Sequence, residues 1–235
     1  SNHASNNPKA VYQNRVSVGD VLNSPWVVKP LHRLDCCSEV DGAAAFIVCS
    51  AERAVNLRQK PIYILGASGR AFPTARGDWE FAVHPITTTG QAKAARIALG
   101  MAGVRPEDVD FTQSADNFTY TALAMLEDAG YCRKGEGGDY VSSGIINLGG
   151  ARPDGTSGGH LCEAYVDGMS GIVETVRQLR GQADDYCPGA AQGIHSYDYS
   201  EGKCRQVSDA KIGHTMGAGY FGLSATSAVL GNTLV

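Results

Sequence analysis

A glycine pair at 158–159, a third glycine at 168 and a helix-forming stretch from Met169 to a closing Gly181 constrain this chain more than any other feature. Adjacent glycines let the backbone turn sharply and come close to a ligand, and Gly181 supplies the left-handed stop that ends many helices. Ile172, Val173, Val176 and Leu179 recur at helical spacing, which predicts an amphipathic helix anchoring the loop. The segment reads as a loop that presents side chains from a rigid support.

The rest of the chain alternates between two periods. Asp41-Gly42 followed by 43–48 predicts a strand buried on both faces, because small and β-branched residues run without a polar break, with a helix start as the alternative. A short helix over about 51–59, a strand over 61–65 and a polar, glycine-punctuated loop over 66–88 follow. Ala95, Ala98, Leu99 and Ala102 ahead of Gly103 predict a helix over 91–102, and Pro106-Glu107-Asp108 leads into a strand at 109–112. Asp116 stands where it would cap the next helix, whose Phe118, Ala122, Met125, Leu126 and Ala129 share one face before Gly130. A glycine-rich loop over 135–150 and two closing strands at 210–214 and 219–230 complete an α/β pattern.

Composition narrows the partners. At 235 residues and 43% hydrophobic content the chain can bury one or two cores. A net charge of −4 with no run of lysine or arginine argues against nucleic acid or an anionic membrane as the main partner. The longest apolar runs, 43–49 and 62–65, fall short of the roughly 18 residues that span a bilayer, and no signal-like segment opens the sequence, so the cytoplasm is the expected compartment. Seven cysteines, at 36, 37, 49, 132, 162, 187 and 204, lack the spacing of paired metal ligands; reduced thiols and no metal site are expected.

Gly158, Gly159 and Gly168 match the glycine-pair loop of the thiolase superfamily, with Ala164, Tyr165 and Val166 standing where its Gly-His-Pro would be. Three further pieces resemble that superfamily in the right order: 35–45, 98–110 and 176–181. Together they are similar to sterol-carrier-protein-type thiolases and lipid-transfer-protein aldolases. The resemblance implies a layered αβαβα fold of two similar halves, with residues 1–59 as the end of the first half and 60–235 as the complete C-terminal domain. A strand-like start at 1–14 fits a chain that begins inside the fold. The nucleophilic cysteine of true thiolases would then lie on the other half.

The same resemblance assigns roles. The family's Asn-Glu-x-Phe or His-Asp-x-Phe motif falls on Ala115-Asp116-Asn117-Phe118, so Ala115 replaces the polar oxyanion residue. Tyr165 takes the place of the loop histidine, as tyrosines do in the aldolases; it would accept or return a proton on a β-hydroxyl, or else merely fill the space. His214, in 214–219, resembles the histidine of the His-Asn-x-Gly-x-Gly loop and is expected to be catalytic. Asp116 would orient a catalytic group or cap a helix. Gly217 and Gly219 would turn backbone N–H groups toward a thioester oxygen. Gly158, Gly159 and Asn117 are expected beside substrate, and Arg70, Arg76 and Lys93 beside CoA phosphates. His160 is expected to be a satisfied loop histidine, and Cys36, Cys37 and Cys162 to be small buried hydrophobes.

Retro-aldol cleavage of a β-hydroxyacyl-CoA is the function implied, with an acyl-CoA as substrate and no permanently bound cofactor. A thiolase completed by a cysteine on the other half, and a non-catalytic acyl-CoA-binding or scaffold subunit, are the alternatives. Implied partners are a second copy in a homodimer, an N-terminal half chain and a small zinc-ribbon/OB-fold protein.

Overall fold

The computed structural model describes residues 1–73, 87–183, 197–219 and 224–234. In chain order its elements are α1 (Val18–Asn23), β1 (Trp26–Val28), β2 (Leu31–His32), α2 (Ala51–Ala54), β3 (Tyr63–Ala71), α3 (Gln91–Ala102) and β4 (Phe111–Gln113). They continue with α4 (Thr119–Asp128), α5 (Gly137–Ser142), α6 (Gly159–Cys162), α7 (Met169–Arg180), β5 (Ile212–Gly219) and β6 (Ser224–Gly231).

Four strands form one mixed sheet in the order β3-β6-β5-β4. β6 runs antiparallel to both β3 and β5, and β4 lies parallel to β5. Neighbouring residues of β6 divide the core between the two faces, as the strand period of two requires. Val229 joins Ala95, Ala98 and Leu99 of α3 and Met125 and Leu126 of α4 on one side. Leu230 joins Phe111, Leu179 and the α7 residues Ile172 and Val176 on the other. The sheet is therefore covered by α3 and α4 on one face and by α7 on the other.

Small residues set the closest of these contacts. A Cβ at Gly66 of β3 would stand 2.0 Å from the Ala98 carbonyl oxygen, so α3 packs onto β3 backbone against backbone. α3 ends where Gly103 turns left-handed at φ 69°, the stop expected from its sequence.

Several boundaries differ from the sequence reading. β3 continues through Gly66 to Ala71, so the loop expected from 66 begins later, and residues 74–86 lie outside the described residues. α5 occupies part of the expected glycine-rich loop, and α2 is a single turn. Residues 1–14 hold a 3-10 turn at Ala4–Asn6 in place of a strand. The largest departure is at 43–48. This segment has no regular secondary structure and pairs with no described strand, and Ile47 and Val48 are 94% and 74% exposed, where a fully buried strand was expected.

Candidate active site

A narrow cleft opens at the C-terminal end of β4, where its parallel pairing with the middle of β5 stops; α/β sheets commonly bind ligands beyond the C-terminal ends of their strands. Gln113 and Ser114 line it from the end of β4, Thr215 and Met216 from β5, and Ser157, Gly159 and His160 from the loop entering α6. Gly168, Ser170 and Gly171 close it from the start of α7.

The loop is fixed by pairing with the free edge of β4. Thr112 donates its N–H to the Pro153 carbonyl and accepts from Gly155 N–H, at 2.9 and 3.0 Å. Asp154 accepts from the hydroxyls of Thr112 and Ser114 at 2.7 and 2.5 Å. The chain start braces the far side: Asn7 Nδ2 donates to the Ser157 carbonyl at 2.9 Å, and Val11 N–H to the Glu163 carbonyl at 3.1 Å.

Behind the cleft lies a sealed polar network. Arg205 and Glu174 form an ion pair in which both side chains are fully buried. Thr156 Oγ1 and Gln178 Nε2 each donate to Glu174 Oε1 at 2.8 Å, and Gln113 Nε2 donates to Thr156 Oγ1 at 2.8 Å. Burial pushes the Glu174 carboxyl up, but Arg205 and the hydrogen bonds from Gln178 and Thr156 outweigh it and hold the pKa below the usual value. Ionised Glu174 thus fixes α7 under the loop. The sequence reading missed this face of α7, because Glu174, Thr175 and Gln178 are buried there and none is apolar.

Asp116 does not cap the helix after it, since α4 begins at Thr119. Its carboxylate instead accepts the backbone N–H groups of His160 and Leu161, at 2.6 and 3.3 Å, and so caps α6 across the fold. Burial raises its pKa to about 7, with the charge of Asp154 adding to the effect. Gly158 and Gly159 make room for the protein itself: a Cβ at 158 would meet Ala4 at 2.6 Å, and one at 159 would meet Asp116 Oδ2 at 2.2 Å. Gly159 also lines the cleft.

Tyr165 is half-buried on the turn between α6 and α7, its ring edge-on to His160 with centroids 5.0 Å apart. Burial raises its pKa, and the Asp167 and Cys37 charges add to the rise, so the phenol keeps its proton at neutral pH. Asn117 is buried, and its Oδ1 has no partner among the described residues. Cys36, Cys37 and Cys162 are half-buried, not core.

His214 lies in β5, not in a loop, and is fully buried. Its Nδ1 is 2.6 Å from Tyr131 Oη and its Nε2 is 2.5 Å from Ser227 Oγ. Burial lowers its pKa to about 3. With both ring nitrogens engaged on the α3 and α4 side of the sheet, it is placed as a core histidine. Gly217 and Gly219 also fall within β5, opposite Thr226 and Ser224. β4 ends at Gln113, so past Thr215 the β4 side of β5 carries no ladder partner among the described residues. Arg70 is exposed on β3, at the opposite edge of the sheet from β4, and packs over Phe72. Lys93 is exposed on α3, and Arg76 lies outside the described residues.

Residues 80–196 match the family described as thiolase C-terminal domain-like. The 17-hydroxy-3-oxo-4-pregnene-20-carboxyl-CoA lyase of Mycobacterium tuberculosis is 41% identical over 183 residues, which cover 76% of this chain and 47% of that protein. The solved Ltp2-ChsH2(DUF35) aldolase superposes with a TM-score of 0.82 at 33% identity, covering 97% of this chain and 55% of that one.

The chain belongs to the thiolase superfamily.

Within the superfamily its relatives include acyltransferases as well. The acetyl-CoA acetyltransferase of Methanothermobacter thermautotrophicus is 36% identical over 230 residues, covering 97% of this chain and 54% of that protein. The chain spans about half the length of the curated relatives it matches. The sheet, its two helical faces and the cleft are thus a thiolase-like C-terminal unit. Among the described residues no helix is long and apolar enough to cross a membrane.

Proposed function

We propose that this chain supplies the C-terminal part of an aldolase that cleaves a β-hydroxyacyl-CoA by a retro-aldol reaction. Tyr165 carries the reading. It occupies the position where thiolases are expected to hold a histidine, it sits beside the cleft, and it keeps its proton at neutral pH. Retro-aldol cleavage requires the β-hydroxyl to lose a proton, the Cα–Cβ bond to break toward the thioester enolate, and Cα to receive a proton. A protonated phenol suits the last of these steps. Relatives named as a steroid side-chain-cleaving aldolase and a pregnene carboxyl-CoA lyase support a bulky, steroid-like acyl group.

The oxyanion role read for Gly217 and Gly219 has no support from their direction: they share the parity of Lys211, whose carbonyl accepts from Asn232 N–H, so their N–H groups face Thr226 and Ser224 of β6 and not the β4 side. His214 adds no chemistry in this reading and serves as packing. Residues 1–59 are taken as the end of the first half, and the exposed apolar segment at 46–48 supports completion by further protein, in a homodimer and with a second subunit. A soluble, cytoplasmic enzyme without a permanently bound cofactor is proposed.

The protein isolated with whatever it binds is assayed on 17-hydroxy-3-oxo-4-pregnene-20-carboxyl-CoA, by following release of the C17 ketone. Tyr165→Phe is expected to lower turnover by at least about a hundredfold. Unchanged turnover would remove Tyr165 from the mechanism. A thiolytic reading is favoured by the acetyltransferase that matches nearly the whole chain. Product formation that requires free CoA would select it over the aldolase.

A further inference from the structure

His160 was expected to be a satisfied loop histidine, and the structure places it otherwise. It is 6% exposed, it lines the cleft, and its Nδ1 is buried with no hydrogen-bond partner among the described residues. An orphaned nitrogen in a buried position costs about 1–3 kcal/mol unless function accounts for it. That nitrogen lies 3.9 Å from Asp116 Oδ1. The same carboxylate already holds the His160 backbone N–H at 2.6 Å, so ring and carboxylate are registered by the main chain. The nitrogen on the other side of the ring, Nε2, is the one left to serve the cleft. Tyr165 packs edge-on against the same ring.

Resting on the aldolase reading above, we propose that His160 and Asp116 form a proton-accepting dyad, with His160 Nε2 receiving the β-hydroxyl proton and Asp116 its final acceptor. The proton leaves the substrate oxygen for Nε2 while Nδ1 passes its own proton to Asp116 Oδ1, and the ring stays neutral. The alkoxide becomes a carbonyl as the Cα–Cβ bond breaks, and the bond's electron pair moves to Cα as the thioester enolate. Tyr165 then protonates Cα, and the cycle closes as Asp116 returns its proton to Nδ1 while Nε2 releases one through solvent to restore the phenol. Burial supports this order, because it disfavours imidazolium, with a His160 pKa near 4, and raises Asp116 to about 7. The 3.9 Å separation is of the kind that tightens once substrate excludes water.

Two measurements test the dyad separately from the aldolase reading. Nitrogen-15 histidine NMR of the parent protein near pH 7 is expected to find His160 neutral with the proton on Nδ1. A proton on Nε2 would overturn the dyad whatever the enzyme does. In turnover of the pregnene carboxyl-CoA thioester, His160→Gln and His160→Ala are expected to lose at least about a hundredfold in kcat with KM changed less than about threefold. Exogenous imidazoles should rescue His160→Ala in the order of their basicity. Turnover within threefold of the parent in both variants would overturn the base role. A parent that cleaves no β-hydroxyacyl-CoA would defeat the aldolase reading instead, and the tautomer would then decide on the dyad alone.

Discussion

Asp116 shows how one side chain couples a loop to a pH response. Its folded pKa, about 7, lies above the 3.8 of the unfolded chain, so the native state retains a proton that the unfolded state releases. Stability from this group is fully present below about pH 3.8 and falls as pH rises toward 7. Asp116→Asn removes the titration while keeping one acceptor oxygen for α6. The variant's stability relative to the parent is therefore expected to improve by as much as about 4 kcal/mol between pH 4 and pH 8. Urea unfolding at both pH values reads the difference, and a pH-independent offset would count against the raised pKa. His214 works in the opposite sense: with its pKa held near 3 it remains neutral in the fold, and its contribution is lost as pH falls from about 6.5 toward 3.

At the scale of elements, the contact of α3 on β3 is the least forgiving. Gly66→Val would drive a side chain into the Ala98 carbonyl, 2.0 Å from where its Cβ must stand. A loss of at least about 3 kcal/mol is expected, read as a shift in the urea midpoint. Gly69→Ala on the same strand, with nothing within 4 Å, should change stability little. The sequence made α3 and α4 legible, because their buried faces are apolar and a glycine ends each pattern. It also located the loop at 158–168 and its helix. It hid the buried face of α7, since Glu174 and Gln178 look solvated until Arg205 and Thr156 are folded against them. It ended a strand at His214 and, by resemblance alone, set 214–219 in a loop, whereas β5 runs on through Gly217 and Gly219, which leave space for the side chains of Thr226 and Ser224. His160 was missed as a site residue because its relation to Asp116 spans 44 positions and has no local signal.

For the whole molecule, the segment at 46–48 has the composition of a covered strand and the exposure of an uncovered one. Ile47→Glu is expected to leave the unfolding midpoint unchanged within about 0.5 kcal/mol, since nothing described packs on it. The same change should lower the mass of the native assembly in sedimentation, and an unaltered assembly would show that this segment joins nothing. The order of the sheet has a further result for synthesis on the ribosome. β6 sits between β3 and β5, yet it is made after every other strand of the sheet, more than 150 residues behind β3. Until it emerges, β3 has no partner among the described strands and α3 no complete surface to cover. The growing chain must therefore hold β3 open while everything from α3 to β5 is made, and a chain cut anywhere between β5 and residue 224 would have a sheet without its middle.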